Sequence, residues 1–379
     1  MILLSYFSWS RVTISLQGAD RDGSPPVSLY QYIVDAYPPP PGFHLHPRER
    51  PSRRPRAHHL TVQEETRKMS VNASGNRPQE DPPDDTGMSR DVANGIVQRV
   101  QDQLGKMAER LEDTPSRACL ACIEGYAEKN LASVAELMWT GQIDPYRRTR
   151  LAESEGPAPT YGRPLRLGIF PIAADPLHWG HILCALSAQA IMKLDKVVFV
   201  IAGADPRKPW LSASDVRLRL GKSVIDLFQP LFASSPIALG TELDGETNCL
   251  RLLALNPDQR IDAFYIAGTD HCRRVDSDGR PDTVQKLERG LKASPGWGRR
   301  NHTVSMLFLE RGEANAGDLA RSSLDIHVLP SIPVSCSSTA IRKTLSNGGL
   351  CEALATLPFA AYQGIQQLGL YTGHESMFT

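Results

Sequence analysis

The sequence predicts an α/β fold built on a doubly wound parallel sheet, and three observations predict it. Continuous apolar runs recur from Leu165 onward, over Leu165–Ile172, 196–202, 263–267, 303–309 and Ile326–Leu329. Runs that are apolar at every position, not at every second one, suit strands buried on both faces. Helical patterns lie between them, as in Leu183, Leu186, Ala190 and Leu194, and that alternation is the mark of a sheet covered by helices on both sides. Finally, the two segments richest in chemistry each fall in a turn that leads into a helix. That is where sheets of this kind bind ligands, at the carboxyl ends of the strands.

Ahead of the sheet the character differs. Residues 1–88 are expected to form a disordered tail, since 38–41 is a proline run, 47–56 is rich in Pro and Arg, and 76–87 is almost wholly polar. Such composition cannot bury enough apolar surface to offset the entropy of ordering. His44, His46, His58 and His59 fall in this stretch and read as tail residues, not as a metal cluster. Met69 and Met88 leave a shorter start open. From Ser89, a potential cap, Val92, Ile96, Val100, Leu104, Met107 and Leu111 recur at helical steps. Thr114-Pro115 opens a second helix to about Lys129, a third is expected over 131–139, and Pro145, Pro157 and Pro159 mark a linker. Residues 89–160 are thus a small helical module and linker, without a motif and open to core packing or partner docking.

The 379-residue chain carries 42 basic and 42 acidic residues, a balance that argues against a nucleic-acid partner. No run reaches the roughly 18 apolar residues of a membrane span. The apolar opening 1–7 lacks a basic flank and is broken by Ser8, Ser10 and Arg11, against a secretory signal. Seven scattered cysteines give no disulfide framework. Cys119 and Cys122 form a C-x-x-C without the second pair that a zinc site needs, and read as structural thiols on a helix. A reducing compartment is expected, the cytoplasm, and a homo-oligomer is left open.

Asp175-Pro176-Leu177-His178-Trp179-Gly180-His181 follows the first apolar run and reads as tight loop, two imidazoles, then helix. Gly180 lets the backbone come close, and a helix beginning near His181 would aim free N–H groups at an anion. Two ordinary histidines, one in the core and one exposed, would also fit this short pattern. Ser335-Cys336-Ser337-Ser338-Thr339-Ala340-Ile341-Arg342-Lys343 reads as hydroxyls at a helix start with a guanidinium one turn in. Alone it is no more than a capped helix with a basic residue, although the arginine fork suits phosphate oxygens. Taken together and in this order, both segments could grip one phosphate chain.

The pair resembles the H-x-G-H and S-S-T-x-I-R signatures of the nucleotidyltransferase superfamily, most closely the nicotinamide/nicotinate mononucleotide adenylyltransferases. Gly268-Thr269-Asp270 resembles the family's G-x-D. Asp205-Pro206-Arg207-Lys208-Pro209, with Arg217 and Arg219 downstream, resembles its loop bearing a phosphate-facing lysine and the basic helix after it. Leu357-Pro358, Tyr362 and Leu368-Gly369-Leu370-Tyr371 resemble its C-terminal helix and ending. The resemblance covers roughly residues 165 to 373 and implies a Rossmann-like nucleotidyltransferase domain over 161–379.

It further implies adenylyl transfer from ATP to a pyridine mononucleotide, releasing pyrophosphate in NAD biosynthesis. His178, His181 and Arg342 would be catalytic. Gly168, Phe170, Gly180, Gly268, Asp270, Ser337, Ser338 and Thr339 would bind ATP. Lys208, Thr247 and Trp210 would meet the mononucleotide, with Trp297 a second aromatic that could stack, and Asp175 would touch Mg2+ through water. Two departures stand out. The hydroxyl residue that the family carries between its Gly and Phe is Ile169 or Ala173 here, depending on whether Gly168 and Phe170 or Asp175-Pro176 are aligned. The family's S-Y-T is reduced to Gly245-Glu246-Thr247. Divergence over 245–253 and 277–301 leaves room for another phosphorylated acceptor, or for a nucleotide-binding regulatory protein without turnover.

Overall fold

A computed structural model describes residues 86–372, except 112, 206–207, 274–280, 294–301, 311–321 and 348–350. Its strands are β1 (Leu165–Ile172), β2 (Lys196–Ile201), β3 (Phe232–Ser235), β4 (Ile261–Gly268), β5 (His302–Leu309) and β6 (Ile326–Leu329). They form one sheet in the order β3-β2-β1-β4-β5-β6, with every neighbouring pair parallel. This is the expected doubly wound, Rossmann-like sheet, and its strand order reverses between β1 and β4. The crevice at that reversal is where such sheets take ligands.

The helices are α1 (Thr86–Ala108), α2 (Thr114–Trp139), α3 (Trp179–Met192), α4 (Ser214–Ile225), α5 (Gly245–Ala254), α6 (Asp282–Ala293), α7 (Ser338–Ser346), α8 (Cys351–Ala355) and α9 (Phe359–Leu368). Side chains of β1 alternate between two cores, which explains why its run is apolar throughout. Leu165, Leu167 and Ile169 join Leu252 of α5 and Leu287 of α6 on one face. Phe170 and Ile172 join Leu183 and Leu186 of α3 on the other. Each such side chain stabilises the fold by about 1.5–3 kcal/mol when fully buried. The strand missed by pattern is β3, whose Phe-Ala-Ser-Ser sequence carries no apolar run; it pairs only with β2, at the sheet edge.

Two helical expectations change. α1 begins at Thr86, one turn before Ser89, so Thr86–Met88 belong to the helix and not to the tail. Residues 1–85, the rest of the expected tail, lie outside the described residues. α2 runs unbroken through the point where a third helix was expected. Nothing there interrupts it, and Asn130 donates from Nδ2 to Tyr126 O of its own helix at 2.8 Å. Its start is as predicted, with Asp113 accepting from Ser116 N at 2.8 Å and Pro115 in the first turn.

The α1–α2 hairpin shares the first core with α3. Gln103 of α1 accepts from Ala360 N at the head of α9, and Tyr126 of α2 donates to Ser187 of α3. The linker is anchored by Asp195, a fully buried carboxylate. It accepts from Asp144 N at 2.7 Å, Arg147 Nη1 at 3.2 Å, Arg163 Nη2 at 2.6 Å and Arg166 N at 2.9 Å. Among the described residues no helix is long and apolar enough to cross a membrane. The six described cysteines are free thiols; Cys119 and Cys122 are half-buried on α2.

Candidate active site

β1 ends at Ile172 and its chain turns through Ala174, which holds a positive φ of 52°, to reach α3. His178 caps α3, and His181 stands one turn in. Their rings stack with centroids 3.8 Å apart, and both are nearly buried. His178 N donates to His181 Nδ1 at 3.4 Å. That bond puts the proton of a neutral His181 ring on Nε2, the nitrogen pointing away from the backbone. Phe170 lies beneath, with its ring edge-on to His181 at 6.2 Å.

The first amides of α3 are not free to meet an anion, contrary to expectation. Trp179 N donates to Thr356 O at 2.8 Å, and Gly180 N is engaged by the Cys336 thiol. Burial pushes that thiol up to about 12. The open helix end belongs to α7 instead. Ser337 caps it and accepts from Ala340 N, while the amides of Ser338 and Thr339 have no acceptor among the described residues. Ser337 and Thr339 are exposed. Such an end attracts anions through its unpaired N–H groups and its dipole.

The two motifs touch. Arg342 Nη1 donates to Asp175 O at 2.5 Å, and Ser338 Oγ donates to Pro176 O at 3.0 Å. Gly180 is required at this junction, because a Cβ there would stand 2.7 Å from the Cys336 Cβ and 2.9 Å from the His178 ring. The structure therefore gathers His178, Gly180, His181, Ser337, Ser338, Thr339 and Arg342 at the carboxyl end of β1. Gly268 ends the neighbouring strand β4, and Asp270 follows it, exposed, in a 3-10 turn.

Other expected residues fall elsewhere. Gly168 sits inside β1, walled by Leu194, Ile266 and Val197, so it packs the sheet and does not reach the crevice. Phe170 supports His181 from the core. Of the two alignments left open, Asp175-Pro176 is the segment that lies in the loop. Asp175 itself is fully buried. Its Oδ1 accepts from Tyr371 and its Oδ2 from Ser212 N, with Arg342 Nη1 3.7 Å away, so the carboxylate has no open face for a cation. Among the described residues no cluster of three or more His, Cys, Asp or Glu could hold a metal.

On the acceptor side, Lys208 and Trp210 are exposed on the loop between β2 and α4, and Ser212 of that loop touches Asp175. Thr247 is half-buried in the first turn of α5, next to Gly245, which packs against Pro171 of β1 and Tyr265 of β4. Trp297 lies outside the described residues. Arg217, of the basic helix after the Lys208 loop, is buried, donating to Ala173 O at 2.6 Å, Gly203 O at 2.7 Å and Ser212 O at 2.8 Å. Arg217 and Tyr371 belong to segments that carry the resemblance, but the sequence does not show that Arg217 holds the carbonyls of the first loop or that Tyr371 reaches Asp175.

No family model matches the chain. It is 37% identical over 219 residues to a probable nicotinate-nucleotide adenylyltransferase of Thermoanaerobacter, covering 56% of this chain and 97% of the relative. It is 28% identical over 187 residues to one of Clostridium botulinum, covering 48% of this chain and 86% of the relative. Among solved structures it resembles a Plasmodium falciparum nicotinic acid mononucleotide adenylyltransferase complexed with NaAD. That match has a TM-score of 0.44 at 14% identity and covers 54% of this chain and 97% of the other.

Proposed function

The chain belongs to the nicotinate-nucleotide adenylyltransferase family, and from that premise we propose that it transfers the adenylyl group of ATP to nicotinate mononucleotide. A phosphate oxygen of the mononucleotide forms a bond to the α-phosphorus of ATP. The bond from that phosphorus to the β-bridging oxygen breaks, and pyrophosphate leaves with the electron pair. The attacking phosphate is already largely dianionic near neutrality, its second pKa being about 6. No protein base has to remove a proton.

The task left to the protein is to align two anions and to offset charge that builds on the transferring phosphoryl group. The observation that carries the reading is the junction of the two motifs, where Arg342 and Ser338 bind the loop that presents the histidines. His178 and His181 offer ring donors toward the α-phosphate. Arg342 and the amides of Ser338 and Thr339 receive the β- and γ-phosphates. Asp270 meets the nucleotide from β4, and Lys208, Trp210 and Thr247 meet the mononucleotide. Mg2+ accompanies ATP in such reactions, but the residues do not fit it as ligands: Asp175 is fully engaged by protein donors. The reaction belongs to a reducing compartment, the cytoplasm, in keeping with the free thiols.

One observation favours a second acceptor. Where the family has the aromatic of S-Y-T, Glu246 is buried beside Tyr265 and Thr283, and burial raises its carboxyl above the usual range. The test is purified full chain with ATP, Mg2+ and either nicotinate or nicotinamide mononucleotide, following pyrophosphate release. Release with nicotinate mononucleotide supports the first reading. Release only with some other phosphorylated acceptor supports the second, and tight ATP binding without release under any condition supports a regulatory role.

A further inference from the structure

Tyr371 lies beyond α9, after Gly369 ends that helix, and holds a positive φ of 60°. A bulky side chain rarely adopts that backbone conformation unless its surroundings impose it. Here the ring is buried, and the hydroxyl donates to Asp175 Oδ1 at 2.5 Å across 196 positions of chain. Burial first, and the Asp175 charge second, push the phenol pKa up, so the hydroxyl remains a donor at any working pH.

Asp175 joins the loops that carry the site. Its Oδ2 accepts from Ser212 N at 3.3 Å, at the end of the loop bearing Lys208 and Trp210. Its backbone oxygen accepts from Arg342 Nη1 at 2.5 Å, and Oδ2 stands 3.7 Å from the same nitrogen. The remaining nitrogen of the fork, Nη2, rests on Thr339 Oγ1 at 3.4 Å. A guanidinium held at one edge keeps its orientation for phosphate on the other, and Asp175 holds that edge.

We propose that Tyr371 is a positioning residue for adenylyl transfer, acting through Asp175 to set the Arg342 guanidinium. The claim rests on the adenylyltransferase reading, and it gives the far C-terminal segment a part in the chemistry beyond closing the fold. Groups held by such outer contacts lose rate when the support goes, even though the group itself remains.

The test is a double-mutant cycle in the full chain, comparing wild type, Tyr371→Phe, Arg342→Lys and the pair. Tyr371→Phe keeps the ring and loses only the hydroxyl. Its kcat should fall about tenfold while KM for nicotinate mononucleotide stays within about twofold. With Lys at 342 the same change should lower kcat by only about twofold, since the fork it served is gone. A role in stability alone would leave the two effects multiplicative. That outcome, or a wild-type kcat in Tyr371→Phe, overturns the proposal. Should the wild type release no pyrophosphate with any acceptor, the transfer reading fails by itself. Coupling between the two sites would then be read from the Kd of a non-hydrolysable ATP analogue in the same four proteins. Non-additive losses of affinity would support the positioning role, and multiplicative ones would overturn it. Should Tyr371→Phe not fold, Asp175→Asn takes its place in the cycle, judged in the same way.

Discussion

Gly180→Ala puts one methyl group at the junction of the two motifs proposed to bind phosphate. The new Cβ would lie 2.7 Å from the Cys336 Cβ and 2.9 Å from His178 Cε1 and Nδ1. Comfortable carbon contacts are about 3.5–4.0 Å, so something must move by close to 1 Å. Neither neighbour can swing clear. The Cys336 Cβ is fixed to the segment that feeds α7, and the nearly buried His178 ring is stacked on His181. Moving either one displaces a group proposed to bind phosphate, and a misplacement of about 1 Å can lower rate by about 10². Stability should change less, because overpacking costs about 1–3 kcal/mol while Ala in place of Gly in a helix returns up to about 1 kcal/mol. The expected outcome is kcat down by about 10² with Tm lowered by only a few degrees. Adding Cys336→Gly removes the 2.7 Å contact and leaves the 2.9 Å ones, so it should restore part of the rate. Pyrophosphate release and a thermal melt on the same preparations decide it. Near-wild-type turnover in Gly180→Ala would refute the idea that close packing at this turn sets the imidazoles.

Other consequences follow from the same geometry. His178→Ala and His181→Ala should each lower kcat by about 10² or more through loss of charge stabilisation in the transition state, with the folded state intact by circular dichroism; near-wild-type turnover in either would remove that histidine from the site. Arg217→Ala should leave the carbonyls of Ala173, Gly203 and Ser212 without their donor, and at about 1–3 kcal/mol for an unmet buried group the denaturant midpoint should fall clearly; an unchanged midpoint would show that water replaces the guanidinium. Glu246 binds its proton more tightly folded than unfolded, because burial raises its pKa. The folded state then holds more protons than the unfolded one between the ordinary carboxylate pKa and the raised value, so stability falls as pH rises through that window. Glu246→Gln should remove this slope in Tm measured from acid to neutral pH, and an unaltered slope would mean that other groups set it.

Much of the fold was legible because burial on two faces leaves a plain trace: β1 and β6 have the bounds their apolar runs predict, and β2, β4 and β5 differ by no more than two residues at either end. β3 was not legible, because a four-residue edge strand paired on one side needs no apolar run. Two helices are expected where α2 runs unbroken; no Gly, Pro or cap separates them, and the Asn130 bond to Tyr126 O lies within one helix. In the candidate site, the placement of residues in short local motifs was legible. His178, His181, Ser338 and Arg342 all lie where their turns imply. Gly168 matches the family's Gly and Phe pattern yet lies inside β1, since a glycine that packs against neighbouring strands and one that meets a phosphate look alike in one dimension. Arg217 and Tyr371 stood out only as parts of a basic helix and of the C-terminal ending, and their contacts were not legible. Arg217 holds carbonyls 44, 14 and 5 positions away, and Tyr371 a carboxylate 196 positions away.

The missing hydroxyl of the first loop makes sense in the same terms. The position that would carry it is Ile169 inside the strand or Ala173 in the turn. In this chain the backbone of that turn is committed inward. Ala173 O accepts from Arg217, Asp175 O from Arg342 and Pro176 O from Ser338. The opening amides of α3 are committed as well, to Thr356 O and the Cys336 thiol. What the first loop offers an anion is therefore its two imidazoles, while hydroxyls and open amides come from the head of α7. A division of this kind places neutral donors and a fixed cation on one helix end and ring donors on the other. If it holds, loss of the Ser337 or Thr339 hydroxyl should weaken ATP binding more than any polar residue restored at position 173 would strengthen it. ATP affinities of Ser337→Ala, Thr339→Val and Ala173→Ser compare the two directly. A gain in Ala173→Ser larger than either loss would show that the first loop remains the principal phosphate clamp.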